Sequence, residues 1–300
     1  MRILVLSLYI LASTASQCST IDKLQTTEEV VEFIHSNTND FKADNLELSI
    51  KSTDQLAQEL ACNGIFKEWD IKNWEKADLN NDGKTDLLVL GEWYGAHPLI
   101  VLDKGQDTYE FIRLSNNSFE YCELFKPISV KNTTLIKAYV PINSQETLIP
   151  GAEKFRIDTL SFFNNTLVKY NPSPKTEAIS SIHLKTSACY GNCPEFVLEL
   201  FPDDRVEFNG LENTPVLGMH SYKATSGTFK EISELLNYMD VKHLKSGYQV
   251  NWTDDQTAYL TIRFADGSTK TIMDYGLQGT PGLKAVYKAL FTVMKNVNTM

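Results

Sequence analysis

From Leu87 onward the apolar residues arrive in short runs closed by Gly, Asp, Asn or Pro, and this punctuation constrains the fold more than any other feature. Leu87-Leu88-Val89-Leu90, Leu99-Ile100-Val101-Leu102 and Tyr109-Glu110-Phe111-Ile112 are separated by turn residues at Gly95 and at Lys104-Gly105-Gln106-Asp107. Leu135 to Val140 and Thr159 to Phe163 extend the series, which predicts a mostly antiparallel sheet. Strands are expected again at Ile182 to Lys185, Glu195 to Phe201, Arg205 to Phe208, Tyr259 to Phe264 and Thr269 to Met273, the last two around an Asp266-Gly267 hairpin turn. Helical spacing is confined to a few places. Thr26-Thr27-Glu28-Glu29 has capping-box spacing and opens a helix bearing Val30, Val31, Phe33 and Ile34. Ser52-Thr53-Asp54-Gln55 opens a second with Leu56, Leu60 and Ala61, closed by Asn63-Gly64. Phe229, Ile232, Leu236 and Met239 make one stripe, and Leu283, Val286, Tyr287, Leu290, Met294 and Val297 make another. Strand runs with segregated helices predict an α+β fold. No internal repeat is found at a solenoid or propeller period.

The segment Asn171-Pro172-Ser173-Pro174-Lys175 lacks an apolar period and reads as a linker. Two domains are therefore expected, 19–170 and 178–300 with 171–177 between them, each a mainly antiparallel sheet with helices packed on it. A chain of 300 residues with 42% hydrophobic and 22% charged residues can build both cores. Charge is uneven across the seam. Residues 19–175 hold 16 Lys+Arg and 24 Asp+Glu, whereas 176–300 hold 11 and 14. A net charge of −10 argues against nucleic-acid binding, which needs surplus Lys and Arg, and against polybasic attachment to a membrane surface.

Arg2 precedes the apolar run Ile3 to Ala12, and small residues follow at Ser13, Thr14, Ala15 and Ser16. This order predicts a secretory leader over residues 1–17 and an exported protein, whether periplasmic, outer-membrane-anchored or extracellular. The run is too short for a transmembrane helix of about 20 residues, and no later stretch approaches that length. Cys18 stands where bacterial lipoproteins carry their lipidated cysteine, although Ala15-Ser16-Gln17 departs from the usual pattern, and cleavage near Ala15 or Ser16 is the competing reading. Membrane contact is expected only through such an anchor. If Cys18 stands apart, Cys62, Cys122, Cys189 and Cys193 allow three pairings. Domain placement favours Cys62–Cys122 and Cys189–Cys193, and an oxidising compartment would preserve both bonds.

Asp78-Leu79-Asn80-Asn81-Asp82-Gly83-Lys84-Thr85-Asp86 carries oxygen side chains at loop positions 1, 3, 5 and 9. Glycine falls at position 6, and position 7 offers the Lys84 carbonyl. Calcium is a hard cation that takes six to eight oxygens, and alternate residues of a tight loop can aim several at one centre. Asp78, Asn80, Asp82, Lys84 and Asp86 are thus expected to hold a structural calcium ion. Val89 stands at position 12 where an EF-hand has glutamate, and a β run follows rather than a helix. The loop resembles instead the strand-flanked Asp-x-Asn-x-Asp-Gly-x-x-Asp loops of integrin-type extracellular β repeats. The alternative is a polar Asn-Asp-Gly turn whose acids face water. Trp69, Trp74, Trp93 and Tyr94 lie nearby and could offer a sugar- or peptide-binding face, but capping of the sheet core is the favoured role. His97 alone gives no ligand signal.

In the second half, Cys189-Tyr190-Gly191-Asn192-Cys193-Pro194 lies between two strands. It is followed by Phe196-x-Leu198-x-Leu200 and Val206-x-Phe208-x-Gly210, then by Tyr248, Asp254, Gly267-x-x-Lys270, Asp274-Tyr275-Gly276 and Pro281-x-Leu283. Over about residues 180–297 this pattern resembles an uncharacterised bacterial family, domain of unknown function 6438. The resemblance implies a domain and a bacterial envelope setting but no reaction. The three-residue spacing between Cys189 and Cys193 leads into a strand, so the helix dipole that activates thioredoxin-type thiols is missing, and a structural disulfide is expected. Zinc would need two more ligands, and His183 and His220 lack motif spacing. The expected function is a non-catalytic binding or interaction module with a structural calcium site. The alternative is an envelope enzyme, either a hydrolase using Asp254, Asp255 and Asp274 or a thiol oxidoreductase using Cys189 and Cys193. No phosphate loop, Gly-x-Ser-x-Gly elbow or His-Glu-x-x-His motif is present.

Overall fold

The computed structural model describes residues 20–43, 46–60, 62–93, 95–114, 122–142, 154–250 and 252–299. The expected leader and Cys18 lie outside the described residues, as does Tyr94. Among the described residues no helix is long and apolar enough to cross a membrane.

The N-terminal half opens with α1 (Thr20–Lys23) and α2 (Thr27–Asn37). The capping box forms at α2: Glu29 N–H donates to the Thr26 hydroxyl, and the Glu29 carboxylate accepts from Thr26 N–H. A small hairpin, β1 (Lys42–Ala43) and β2 (Leu46–Glu47), leads to α3 (Thr53–Glu59) and α4 (Ile65–Glu68). Two four-stranded antiparallel meanders follow. The first runs β3 (Trp74–Ala77), β4 (Asp86–Glu92), β5 (Ala96–Gly105) and β6 (Thr108–Arg113). The second runs β7 (Leu124–Val130), β8 (Thr133–Pro141), β9 (Phe155–Phe163) and β10 (Thr166–Lys169). The expected single sheet is therefore two, and the fold repeats a unit that the sequence does not repeat. β3, β7 and β10 escape a reading by apolar runs. β3 is short and mixed in polarity, Pro127 interrupts β7, and β10 is a four-residue edge strand.

The two meanders pack face to face. Leu88, Leu90, Ile100 and Leu102 meet Leu124, Phe125, Ile136, Ala138, Leu160 and Leu167 in one core. The opposite face of the first meander, Leu87, Val89, Leu99 and Val101, packs on Ile21 of α1 and on Val30, Phe33 and Ile34 of α2. Burial on both faces explains why β4 and β5 read as unbroken apolar runs rather than alternating ones. Trp69 belongs to the first core, while Trp74 and Trp93 flank the second, so these tryptophans cap cores as favoured.

The C-terminal half is a seven-stranded sheet. Its strands are β11 (Ile179–Thr186), β12 (Glu195–Leu200), β13 (Arg205–Glu212), β14 (Gly218–Lys223), β15 (Gly247–Gln249), β16 (Thr257–Phe264) and β17 (Thr269–Tyr275). Their spatial order is β14-β13-β12-β11-β16-β17-β15, antiparallel except for β15 against β17. One face is covered by α5 (Thr228–Tyr238) and α6 (Pro281–Lys295), with Leu184, Phe196, Leu198, Phe208, Leu260 and Ile272 in the shared core. α5 has no side-chain cap of its own. Asp204, from the turn between β12 and β13, fills that role by accepting from Gly227 N–H and Phe229 N–H at 2.7 and 2.8 Å. Gly282 lets α6 approach α5, since a Cβ there would meet Met239 Sδ at 1.9 Å.

The two halves are joined by more than the chain. Leu167 faces the core between the meanders, and its neighbour Val168 belongs to the C-terminal core. Phe163 stacks on Tyr238 with ring centroids 4.3 Å apart. Segment 171–177 is strapped to the end of α5: Asn171 Nδ2 donates to Tyr238 O at 2.7 Å, and Glu177 N–H donates to Asn237 Oδ1 at 3.0 Å. The Pro-marked seam is a pinned connector.

Candidate functional site

Two loops carry the residues that the sequence singles out. The first, Asp78 to Asp86, connects β3 and β4. Asp82 N–H and Gly83 N–H donate to the Asp78 carboxylate, each at 2.9 Å, and Asp82 N–H also reaches Asn80 Oδ1 at 3.1 Å. Gly83 takes φ +86°, the left-handed turn for which glycine is suited. Lys84 donates to Asp82 twice, through N–H and through Nζ, each at 2.9 Å. Asp78, Asn80, Asp82 and Lys84 are thus brought together around Gly83. Asp86 sits below them at the start of β4, fully buried, and accepts from Leu79 N–H and Asp103 N–H. Burial pushes its carboxyl up to about 6, with the nearby Asp82 charge adding to the rise and the two amides opposing it. Among the described residues no three His, Cys, Asp or Glu side chains converge as a metal cage. The donor set is nonetheless all oxygen, which suits a hard cation.

The loop also has a structural duty that its spacing does not reveal. Thr134 N–H donates to Asn81 Oδ1 at 2.7 Å, and Asn81 Nδ2 donates back to Thr134 O at 3.2 Å. The first meander is thereby buttoned to the β7–β8 hairpin of the second. Only a partner remote in sequence identifies this role, so Asn81 carries no local signal for it.

The second loop joins β11 to β12. Cys189 and Cys193 are disulfide-bonded, as are Cys62 and Cys122, so both favoured pairings are realised. Beneath the loop lies Gln256, buried, whose Nε2 donates to Ser187 O at 2.8 Å and to Pro194 O at 2.7 Å. Thr186 Oγ1 also donates to Pro194 O and receives Phe196 N–H. Tyr275 extends the network, its hydroxyl accepting from Asp255 N–H at 3.1 Å. Gln256 and Thr186 were missed from sequence because neither belongs to a chemical motif, although a glutamine beside a strand of apolar period marks a buried amide in need of partners.

The three acids of the hydrolase alternative are each engaged by a different set of donors. Asp274 is fully buried on the helix-covered face and accepts from Gln278 N–H and Gly279 N–H, shaping the turn into α6. Burial raises its carboxyl above the ordinary range while those amides partly counter it. Asp255 accepts from Trp252 Nε1 and Gln256 N–H, and Asp254 from Thr253 Oγ1. His183 lies on the opposite face of the sheet, paired in register with Glu199 and Thr261. The sheet itself stands between this imidazole and Asp274.

The remaining quoted residues are scaffold. Tyr248 covers Gly279, where a Cβ would lie 2.7 Å from its ring, and Gly276, at φ +87°, turns against Val250. A Cβ on Gly210 would lie 2.0 Å from Val216 O. Residues 180–294 match the family model described as Domain of unknown function (DUF6438). This segment, under half of the chain, is similar to that family. The matched segment runs from β11 into α6 and takes in the whole seven-stranded sheet. Searches of curated proteins and of solved structures returned no match.

Proposed function

We propose that the chain is an exported, non-catalytic binding module of the bacterial envelope whose Asp78–Asp86 loop holds a structural calcium ion. The observation that carries the non-catalytic reading is the engagement of the Asp254, Asp255 and Asp274 carboxylates by separate local donors, together with closure of Cys189 and Cys193 as a disulfide beneath which Gln256 is fixed. The calcium reading rests on the oxygen donors of Asp78, Asn80 and Asp82, the Lys84 carbonyl and the buried Asp86 carboxylate, two of whose charges already press on each other. A bound cation would relieve that repulsion and hold the loop against the second meander. Its affinity is expected in the extracellular range of about 10⁻⁴–10⁻³ M.

Thermal melting with millimolar calcium and with chelator tests the ion. At ten times the dissociation constant, linkage gives about 1.4 kcal/mol of added stability, and Asp82→Ala should abolish it. Equal melting temperatures in the two buffers would remove calcium from this reading. The placement of residues 1–17 and of Cys18 in export is tested by mass spectrometry of the protein from an envelope fraction, which reads leader removal and any lipid on Cys18.

A further inference from the structure

The helix-free face of the seven-stranded sheet is unlike the rest of the surface. Of the ten exposed large hydrophobic residues among those described, Tyr190, Leu211, Leu217, Met219, Tyr259 and Met273 lie on this face or at its loop-bearing corner. Strand register sets out what the face presents. One row runs Met219–Asn209–Val197–Lys185–Tyr259–Met273 across β14, β13, β12, β11, β16 and β17. The next runs Ser221–Glu207–Glu199–His183–Thr261–Thr271 along the same strands. Both ends of the first row are methionines, 72% and 41% exposed.

We infer that this face is a homodimer interface, on which a second copy of the chain docks about a two-fold axis parallel to the strands, between β11 and β12. Such an axis reverses each row upon itself. Met219 then faces Met273 of the other copy, Asn209 faces Tyr259, and Val197 faces the aliphatic stem of Lys185. In the second row Ser221 faces Thr271, Glu207 faces Thr261, and Glu199 faces His183, so a carboxylate meets an imidazole at the centre. Arg205 and Arg263 also come opposite one another, each already neutralised by an ion pair, to Glu207 and to Glu199. The charges favour a second copy over other occupants. Lys185, Arg205, Lys223 and Arg263 nearly balance Glu195, Glu199 and Glu207 on this face, while the molecule carries −10 overall. Two like-charged copies can approach here without the repulsion they meet elsewhere, whereas a basic partner would be drawn to the acidic N-terminal half. Size agrees as well. Six strands about 4.8 Å apart and about six residues long give roughly 600 Å² in projection, close to the roughly 800 Å² each partner contributes to a stable interface.

The test is sedimentation velocity of the purified chain from about 1 to 100 µM, a range that brackets micromolar association. The wild type is expected to shift from monomer to dimer, and Met219→Glu with Met273→Glu to weaken that dimer at least tenfold while circular dichroism stays unchanged. An independent measurement uses cysteines. Met219→Cys combined with Met273→Cys should give an oxidised dimer well above the wild-type background, and neither single variant should. A wild type that stays monomeric throughout the range overturns the inference and leaves the face to another partner. So does a dimer indifferent to the glutamates, or one cross-linked as well by Met219→Cys alone.

Discussion

The N-terminal half seals its first meander on both sides, whereas the C-terminal sheet is covered on one side only. The difference is legible strand by strand. In β5, Leu99 faces α1 and α2 while its neighbour Ile100 faces the second meander, and both are fully buried. In β12, Leu198 is fully buried against the helices while its neighbour Val197 stands on the uncovered face. An unbroken apolar run thus means two neighbours for one sheet, and strict alternation means one. Stability in the first half is spread over both sets of side chains, and in the second it rests on a single set.

Breaking the covalent closures separates the halves most strongly. On the chain-entropy model, removing Cys62–Cys122, with a sequence separation of 60, costs about 4 kcal/mol, and removing Cys189–Cys193, with a separation of 4, about 2. Urea melts of the double serine variants should rank in that order. A sharper version uses adjacent residues. Leu99→Ala and Ile100→Ala should each cost about 2–5 kcal/mol, and so should Leu198→Ala, whereas Val197→Ala should stay near 0.5 kcal/mol. That small value is for the chain diluted to monomer, and a larger loss at concentrations where the second copy docks would show the face covered.

Acid should find the first half before the second. His97 lies almost wholly buried against Phe41, with Trp93 5.5 Å away, and neither ring nitrogen has a hydrogen-bond partner among the described residues. Burial first, and the Arg113 charge second, lower its pKa to about 4. The unfolded chain takes up the proton near the ordinary value of about 6.5, so stability falls as pH drops through 6.5 and levels off near 4, by up to about 3 kcal/mol. Asp86, raised to about 6, contributes with the opposite sign below that pH, so the His97 loss is read as the difference between wild type and His97→Phe in denaturant midpoints from pH 7 to 4. A more local effect is expected at Gln256→Ala, about 1–3 kcal/mol from leaving the Ser187 and Pro194 carbonyls short of a donor. Hydrogen exchange should then rise around 187–194 and stay unchanged in the meanders.

Much of this was open to a reading of the residues. The α+β class, the capping boxes of α2 and α3, the helices from Thr228 and from Pro281, and both disulfides follow from period, punctuation and cysteine placement. What stayed hidden is what depends on partners far along the chain. No local pattern marks Asn81 as a clasp onto Thr134, Asp204 as the cap of a helix beginning at Thr228, or β7 as a strand despite Pro127. The division into two meanders was hidden for the same reason, since two sheets and one long sheet share a period and differ only in which strands pair.

β10 gives Leu167 to one core and Val168 to the other. A single four-residue strand is thus a party wall, and neither room can be demolished without opening the one beside it. A protease could cut at the exposed Pro172-Ser173-Pro174 stretch and still leave one particle, because severing the chain there does not expose the surfaces that Val168, Phe163 and α6 hold in common. For such a protein the unit held together by packing is the pair of halves.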